Sequence, residues 1–325
     1  MKQYLALGLV ACMGISQNAF AQSKEEVIRV GNLKLAHFAA ISYIKEIQKD
    51  CGIRVEERIF AKGPDIMQGV LAGEIDIGAS ASEATVAARA SGLPIFVVAG
   101  FAKGGARLVA QPGLNIKSVK DLKGKKVGVT RGSIQEVLLA AELGKHNLSS
   151  SERKGKDVLL VYLGYPDLNQ ALLTKHIDAM LQSEPYSSQA LAKGFGVEVI
   201  KPYDTDIGEP VRTLVMTEKF YKERRPLAEK FMRCFVKATK TFIDKPEVAE
   251  KYVTQTIFKG QLTKAEFKDA IDNSPYSYDI TVDHIQKTTD LMAKHGIGRM
   301  KTPAKAIDWV KTDLLDEAKK ELGVK

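Results

Sequence analysis

The chain has 325 residues, 45% of them hydrophobic, which is enough for a sizeable core and for two domains or lobes. Its formal net charge of +9 arises from 48 Lys and Arg scattered among 39 Asp and Glu, with no dense basic run and no interleaved aromatic stripe, so nucleic acid is not an expected partner. Three cysteines are too few for a disulfide scaffold or a cysteine-rich metal site.

Residues 1–21 read as an export signal: Lys2 gives a positive start, residues 4–15 an apolar stretch, and Ala19-Phe20-Ala21 a small-x-small cleavage site. A periplasmic chain beginning at Gln22 is therefore expected, and losing Lys2 takes its charge from +9 to +8. Leu9-Val10-Ala11-Cys12 resembles a lipoprotein box, so a form anchored at Cys12 is the alternative. Beyond the signal, Cys51 and Cys234 remain. Cys234 falls in a strongly periodic helix, and buried free thiols are expected in preference to a pair.

In chain order, residues 27–30 predict a strand, 31–34 a turn, and 37–49 a helix with Phe38, Ile41, Ile44 and Ile47 on one stripe. Residues 53–60 alternate as a second strand. In the next helix, Gly63-Pro64 fits the first positions, Ile66, Met67, Val70 and Leu71 form its stripe, and Gly73 supplies a left-handed stop. Ile75 and Ile77 then give a short strand, and residues 78–82 a loop of small residues and hydroxyls feeding a helix over 83–90. With a strand at 95–99 the order becomes βαβαβαβ, the alternation of a parallel sheet covered by helices.

A glycine-rich stretch at 101–107, extended residues at 108–110 and a break at Pro112-Gly113 precede a second unit of the same kind. Its predicted strands are 126–129, 158–162, 179–181 and 197–200, and its helices 134–143 and 167–173. Chain crossings between the units are expected near Ala110 and Lys201. After a strand at 213–216, helices predominate. They cover 226–243, a segment opened by the capping-box spacing of Thr263 and Glu266, 285–295, and 307–322.

No strong catalytic pattern is present. The five histidines show no metal-ligand grouping, Gly78-Ala79-Ser80-Ala81-Ser82 lacks the closing glycine of a nucleophile elbow, and neither a Walker pattern nor GxGxxG occurs. No catalytic residue, metal or cofactor is expected. What remains is a set of polar turns at predicted strand ends, where ligands of open α/β sheets sit against helix N-termini. Arg131-Gly132-Ser133 can offer N–H groups, a hydroxyl and a guanidinium to an anion, or can be a simple cap. Ser80 and Ser82 can face a ligand or cap their helix, and a lone histidine such as His37 is more often structural.

Taken together these segments resemble the periplasmic substrate-binding proteins of ABC importers, of the sulfonate, taurine and nitrate type. The resemblance rests on residues 63–78 with Gly92-Leu93-Pro94, on 121–129 with Arg131-Gly132-Ser133, and on Ile177-Asp178-Ala179, Glu184-Pro185-Tyr186 and Lys193-Gly194. It implies an α/β, two-lobe type II periplasmic binding protein fold, each lobe a mixed sheet flanked by helices. Residues 22–110 and 202–325 would form the first lobe and 111–201 the second. It also implies a monomeric binder that closes on a small molecule and delivers it to a membrane permease.

By position, the implied ligand contacts fall on Asn32, Leu33, Lys34 and His37, on Ser80, Ala81 and Ser82, on Arg131, Gly132 and Ser133, and on Glu184 and Tyr186. Sulfonate binders usually follow the Arg-Gly-Ser turn with a small residue and a His, whereas Ile134-Gln135 stands here. An organic anion, carboxylate or sulfonate, is the expected ligand, with Arg131 meeting its charge and Phe38, Tyr165 and Tyr186 covering an apolar body. The alternatives are a neutral pyrimidine, thiamine-precursor or flavin-like nutrient, a ligand-sensing partner of a membrane receptor, and a thiamine-pyrimidine synthase-like enzyme.

Overall fold

The computed structural model describes residues 26–300 and 302–324, so the expected export signal and the Cys12 box lie outside the described residues. The first unit contains β1 (Val27–Leu33), α1 (Ala39–Ile47), β2 (Arg54–Phe60), α2 (Gly63–Leu71), β3 (Ile77–Ala81), α3 (Ser82–Ala90) and β4 (Ile95–Lys103). The second contains β5 (Ala106–Ala110), β6 (Lys126–Val129), α4 (Ile134–Lys145), β7 (Ser150–Ser151), β8 (Val158–Tyr162), α5 (Tyr165–Leu173), β9 (Ala179–Ser183), α6 (Tyr186–Ala192) and β10 (Val197–Ile200). The chain then returns through β11 (Val211–Thr217) to α7 (Glu218–Glu223), α8 (Arg225–Asp244), α9 (Pro246–Lys251), α10 (Lys264–Asn273), α11 (Val282–Lys294), α12 (Ala306–Trp309) and α13 (Asp313–Glu321).

Two sheets result, ordered β2-β1-β3-β11-β4 and β10-β5-β9-β6-β8-β7. Strands β1, β2 and β3 are parallel, as the βαβ alternation predicts, but β11 enters from the other half and runs antiparallel to β3 and β4. In the second sheet β5 likewise runs antiparallel to β9 and β10. Each half thus receives one reversed strand, supplied where the chain changes sheets.

Several expectations need correction. The turn expected at 31–34 is strand as far as Leu33, because Gly31, Asn32 and Leu33 continue the register with Arg58, Ile59 and Phe60. The loop expected at 78–82 is β3 itself, with α3 starting at Ser82. Small residues suit this strand because α2 lies almost upon it: a Cβ on Gly78 would come within 3.0 Å of Ile66 Cγ2. The first crossing is at Gly104-Gly105 rather than Ala110, since β5 pairs with β9. The helix expected at 307–322 is interrupted where Val310 bridges Val97 and the Lys311 N–H donates to Val97 O at 2.8 Å.

Cys51 and Cys234 are not free thiols; they form a disulfide with Cα atoms 5.7 Å apart, across a sequence separation of 183 residues. Helical periodicity correctly implies that Cys234 is buried. It carries no information on α1, which packs on α8 and brings the Cys51 turn against it.

Candidate functional site

The carboxyl ends of β1 and β3 and the first turns of α3 and α4 converge between the two sheets on a small chamber almost filled by its own lining. One wall presents Leu33, Phe38, Ala81, Glu83 and Arg212; the other presents Ile134, Gln135, Tyr165 and Ser183. This is the strand-end, helix-start placement at which open α/β sheets take ligands.

Arg212 is the fixed cation of the chamber, 1% exposed. Its Nε donates to His37 Nε2 at 3.1 Å and its Nη2 to Gly104 O at 2.7 Å, while Nη1 has no hydrogen-bond partner among the described residues. Burial, then the neighbouring guanidinium charge, holds His37 well below its ordinary pKa, so the imidazole is neutral and accepts. Burial also lowers Arg212, opposed by Glu83, Tyr165 and Tyr203, but a guanidinium keeps its charge.

Glu83, in the first turn of α3, is the opposing acid, and its Oε2 is buried without a hydrogen-bond partner among the described residues. Burial pushes its carboxyl up to about 7; the Arg212 charge and the backbone N–H groups of Glu83, Ile134 and Ala84 pull the other way. Ile134 belongs to the opposite half, so the surroundings of Glu83 depend on closure. Tyr165 donates to Gln135 Oε1 at 3.3 Å, and burial raises the pKa of its phenol.

The residues expected to bind ligand separate into three groups. Leu33 and Ala81 line the chamber, and His37 orients Arg212. Ser80 is buried beside Gly63 with its Oγ unpartnered among the described residues, and Ser133 caps α4 while donating to Thr130 O at 2.6 Å. Gly132, at φ +69, marks the seam of the halves: a Cβ there would sit 3.2 Å from Pro64 Cγ. Phe38 and Tyr165, expected to cover an apolar body, are both in the chamber wall.

A second group fastens the scaffold. Asn32 Nδ2 donates to Glu57 Oε1 at 2.8 Å and Ser42 Oγ at 3.1 Å, holding α1 to the sheet. Ser82 shares a hydrogen bond with Thr288 of α11 at 3.3 Å. Glu184 accepts from Asn273 Nδ2 at 2.7 Å and Ser188 Oγ at 2.7 Å and lies 3.1 Å from Arg107 Nε, which spends its carboxylate on a contact between α10 and the second sheet. Tyr186 is half-buried at the start of α6, where its carbonyl accepts from Asn169 Nδ2 at 2.9 Å.

Two cations expected at the ligand lie outside the chamber lining. Arg131 is exposed, pairs with Glu152 and places its guanidinium 3.6 Å from the centroid of the Tyr162 ring. Lys34 is exposed near Phe258. Each has its own surface partner, so neither brings charge to the chamber. Arg212, Glu83 and Gln135 are polar residues of its lining, and sequence reading passed over them. The available signal was Arg212, a lone charge at the start of an apolar strand, since buried charge needs a reason.

A family description, NMT1/THI5 like, matches residues 48–249. The chain belongs to the NMT1/THI5-like family. Within that family it is 30% identical over 236 residues to a protein of Escherichia coli (strain K12) named for binding aliphatic sulfonates, covering 71% of this chain and 69% of that relative. A Bacillus subtilis (strain 168) protein named for the same ligands is 29% identical over 190 residues, 58% of this chain and 55% of the other. Among solved structures, the alkanesulfonate-binding protein SsuA from Xanthomonas axonopodis pv. citri bound to MOPS superimposes with a TM-score of 0.74 at 17% identity, covering 88% of this chain and 98% of that one. The periplasmic nitrate-binding protein NrtA from Synechocystis also gives 0.74, at 16% identity and 93% and 90% coverage. These two likenesses show that this NMT1/THI5-like chain has the periplasmic binding protein fold.

Proposed function

We propose that the chain is the extracytoplasmic solute-binding component of an ABC import system, a monomer whose two halves close around a small organic anion and deliver it to a membrane permease. The observation that carries the reading is Arg212: a buried guanidinium in the wall of a chamber between the halves, held on two edges by His37 and Gly104, with Nη1 lacking a hydrogen-bond partner among the described residues. Such a group is prepared for a carboxylate or sulfonate oxygen, and a charge-assisted bond formed away from water is among the stronger ones available. The relatives' names support the anionic class, and the chamber walls supply apolar cover.

The test is to denature freshly purified protein, identify released small molecules by mass spectrometry, and titrate them back by calorimetry. The reading requires an organic anion that binds the wild type and loses most of its affinity in Arg212→Ala. Unchanged affinity in that variant would remove the anion site from Arg212.

A further inference from the structure

We propose that Tyr203 is the hinge pin of this protein, a positioning residue whose hydroxyl ties both chain crossings to α10 and sets how far the halves stay closed before a ligand arrives. The inference rests on the proposed reading of two halves that close, and adds what governs the closing.

The sequence leaves a gap for this hydroxyl. Strand β10 pairs with β5 as far as Ile200 and Leu108, and the next pair on that register is Pro202 and Ala106. Proline has no N–H to donate, so the ladder stops there. Tyr203, the following residue and half-buried, reaches back instead: its hydroxyl accepts from the Ala106 N–H at 3.0 Å and lies 3.1 Å from Ala106 O. Its single proton has a shorter acceptor in Asn273 Oδ1, 2.9 Å away at the end of α10. Burial pushes the phenol up to about 12, so the proton stays in place. One oxygen thus joins the outward crossing, the return crossing and α10.

Asn273 carries the connection across. Its Nδ2 donates to the buried Glu184 at 2.7 Å and its carbonyl accepts from the Gly105 N–H at 2.9 Å, while Tyr276, three residues on, donates to Ala36 O at 2.9 Å beside the chamber wall. Gly104 and Gly105, both at positive φ, are where the chain changes sheets. They are packed so closely that a Cβ on Gly104 would meet Asn273 O and the Tyr203 hydroxyl. From the other side Arg212 Nη2 donates to Gly104 O at 2.7 Å. Turning these two glycines to part the halves releases the Tyr203–Asn273 bond and moves the peptide that supports Arg212. The cation of the chamber is therefore fully placed only when the pin is engaged.

Hydrogen exchange and small-angle scattering test this in wild type, Tyr203→Phe and Ser274→Ala, each freed of bound small molecules by unfolding and refolding with the disulfide intact. Tyr203→Phe removes the hydroxyl and leaves the Gly105 N–H its acceptor, so Gly105 reads the hinge and not the deleted bond. Its protection should fall by about three- to tenfold, the factor that one net hydrogen bond is worth, and the radius of gyration should rise. Ser274→Ala deletes the neighbouring 2.8 Å bond to Lys103 O and should change neither. Unchanged Gly105 protection or an unchanged radius in Tyr203→Phe, or an equal change in Ser274→Ala, overturns the assignment. Should Tyr203→Phe not fold, wild type alone decides. Corrected for intrinsic rates, its Gly105 and Ala106 amides should be equally protected because one opening frees both, and a difference beyond about tenfold overturns the pin. No anion enters these measurements, so the pin can fail while Arg212 still binds, and the Arg212→Ala titration can fail while the pin stands.

Discussion

Arg212 Nε donates to His37 Nε2 across 3.1 Å, a bond that exists because the buried imidazole is neutral. Together with Nη2 on Gly104 O, it fixes the plane of the guanidinium and leaves Nη1 without a hydrogen-bond partner among the described residues. Arg212→Lys keeps the charge and loses the fork, because an ammonium cannot hold both supports and the ligand in one plane. Affinity for the molecule released from the native protein is expected to fall by about tenfold or more, in line with 1.5 to 3 kcal/mol for a bond to a charged group. Calorimetry on the folded variant checks this; equal affinity would mean that point charge alone suffices.

Glu83 makes stability depend on pH in a defined direction. Its carboxyl rises from an ordinary 4.5 to about 7 in the folded chain, so the folded state holds this proton more tightly than the unfolded one. Folding therefore weakens as pH rises from about 4.5 to about 7, by on the order of 3 kcal/mol in total. His37 acts oppositely, since its lowered pKa costs stability as pH falls below its ordinary 6.5. Comparing wild type with Glu83→Gln separates the two: the variant should be more stable in ligand-free thermal melts at pH 8, with the gap closing near pH 4. A gap independent of pH would show that the Glu83 pKa is the same in the folded and unfolded chains.

Arg107, 2% exposed, ties β5 to Asp269 of α10 at 2.6 Å while lying 3.1 Å from the fully buried Glu184. Arg107→Ala strands that carboxylate, and a loss of about 3 to 5 kcal/mol is expected in denaturant unfolding. Asn273→Ala is the milder probe, removing the 2.7 Å bond from α10 to Glu184. It should leave the fold intact and shift the ligand-free protein towards an open form, seen as a larger radius of gyration in small-angle scattering. An unchanged radius would mean that this contact does not hold the halves together.

The Cys51–Cys234 bond closes a loop of 183 residues' separation, and its loss should lower stability by about 2 to 5 kcal/mol. Melting with and without a strong reductant, beside a Cys51→Ser, Cys234→Ala double variant, measures it. Wild type insensitive to reductant and equal to the variant would mean that the bond contributes nothing.

Local signals were the legible ones. Strands β6, β8 and β10 occupy the residues that alternation and turn chemistry predict, and the Thr263–Glu266 capping box forms with bonds of 2.7 and 3.2 Å. The chamber was legible in part, as Leu33, His37 and Ala81 follow from the rule that strand ends meet ligands. Arg212 and Glu83 were not, because one reaches the site through a strand inserted in reverse from the other half and the other looks like an ordinary acid opening a helix. Arg131 lies outside the chamber lining for the complementary reason: a turn motif specifies backbone direction, while Glu152 and Tyr162, distant in sequence, decide where the side chain goes.

The seam at Gly132 and Pro64 bears on how quickly the molecule can reopen. Bare backbone, at φ +69, meets a proline ring whose own torsions are restricted. At that point neither face carries a long side chain that must be reset whenever the halves part, so little conformational entropy changes hands there with each cycle. That part of the seam can then work like a valve seat, with smooth faces that meet and separate without repacking.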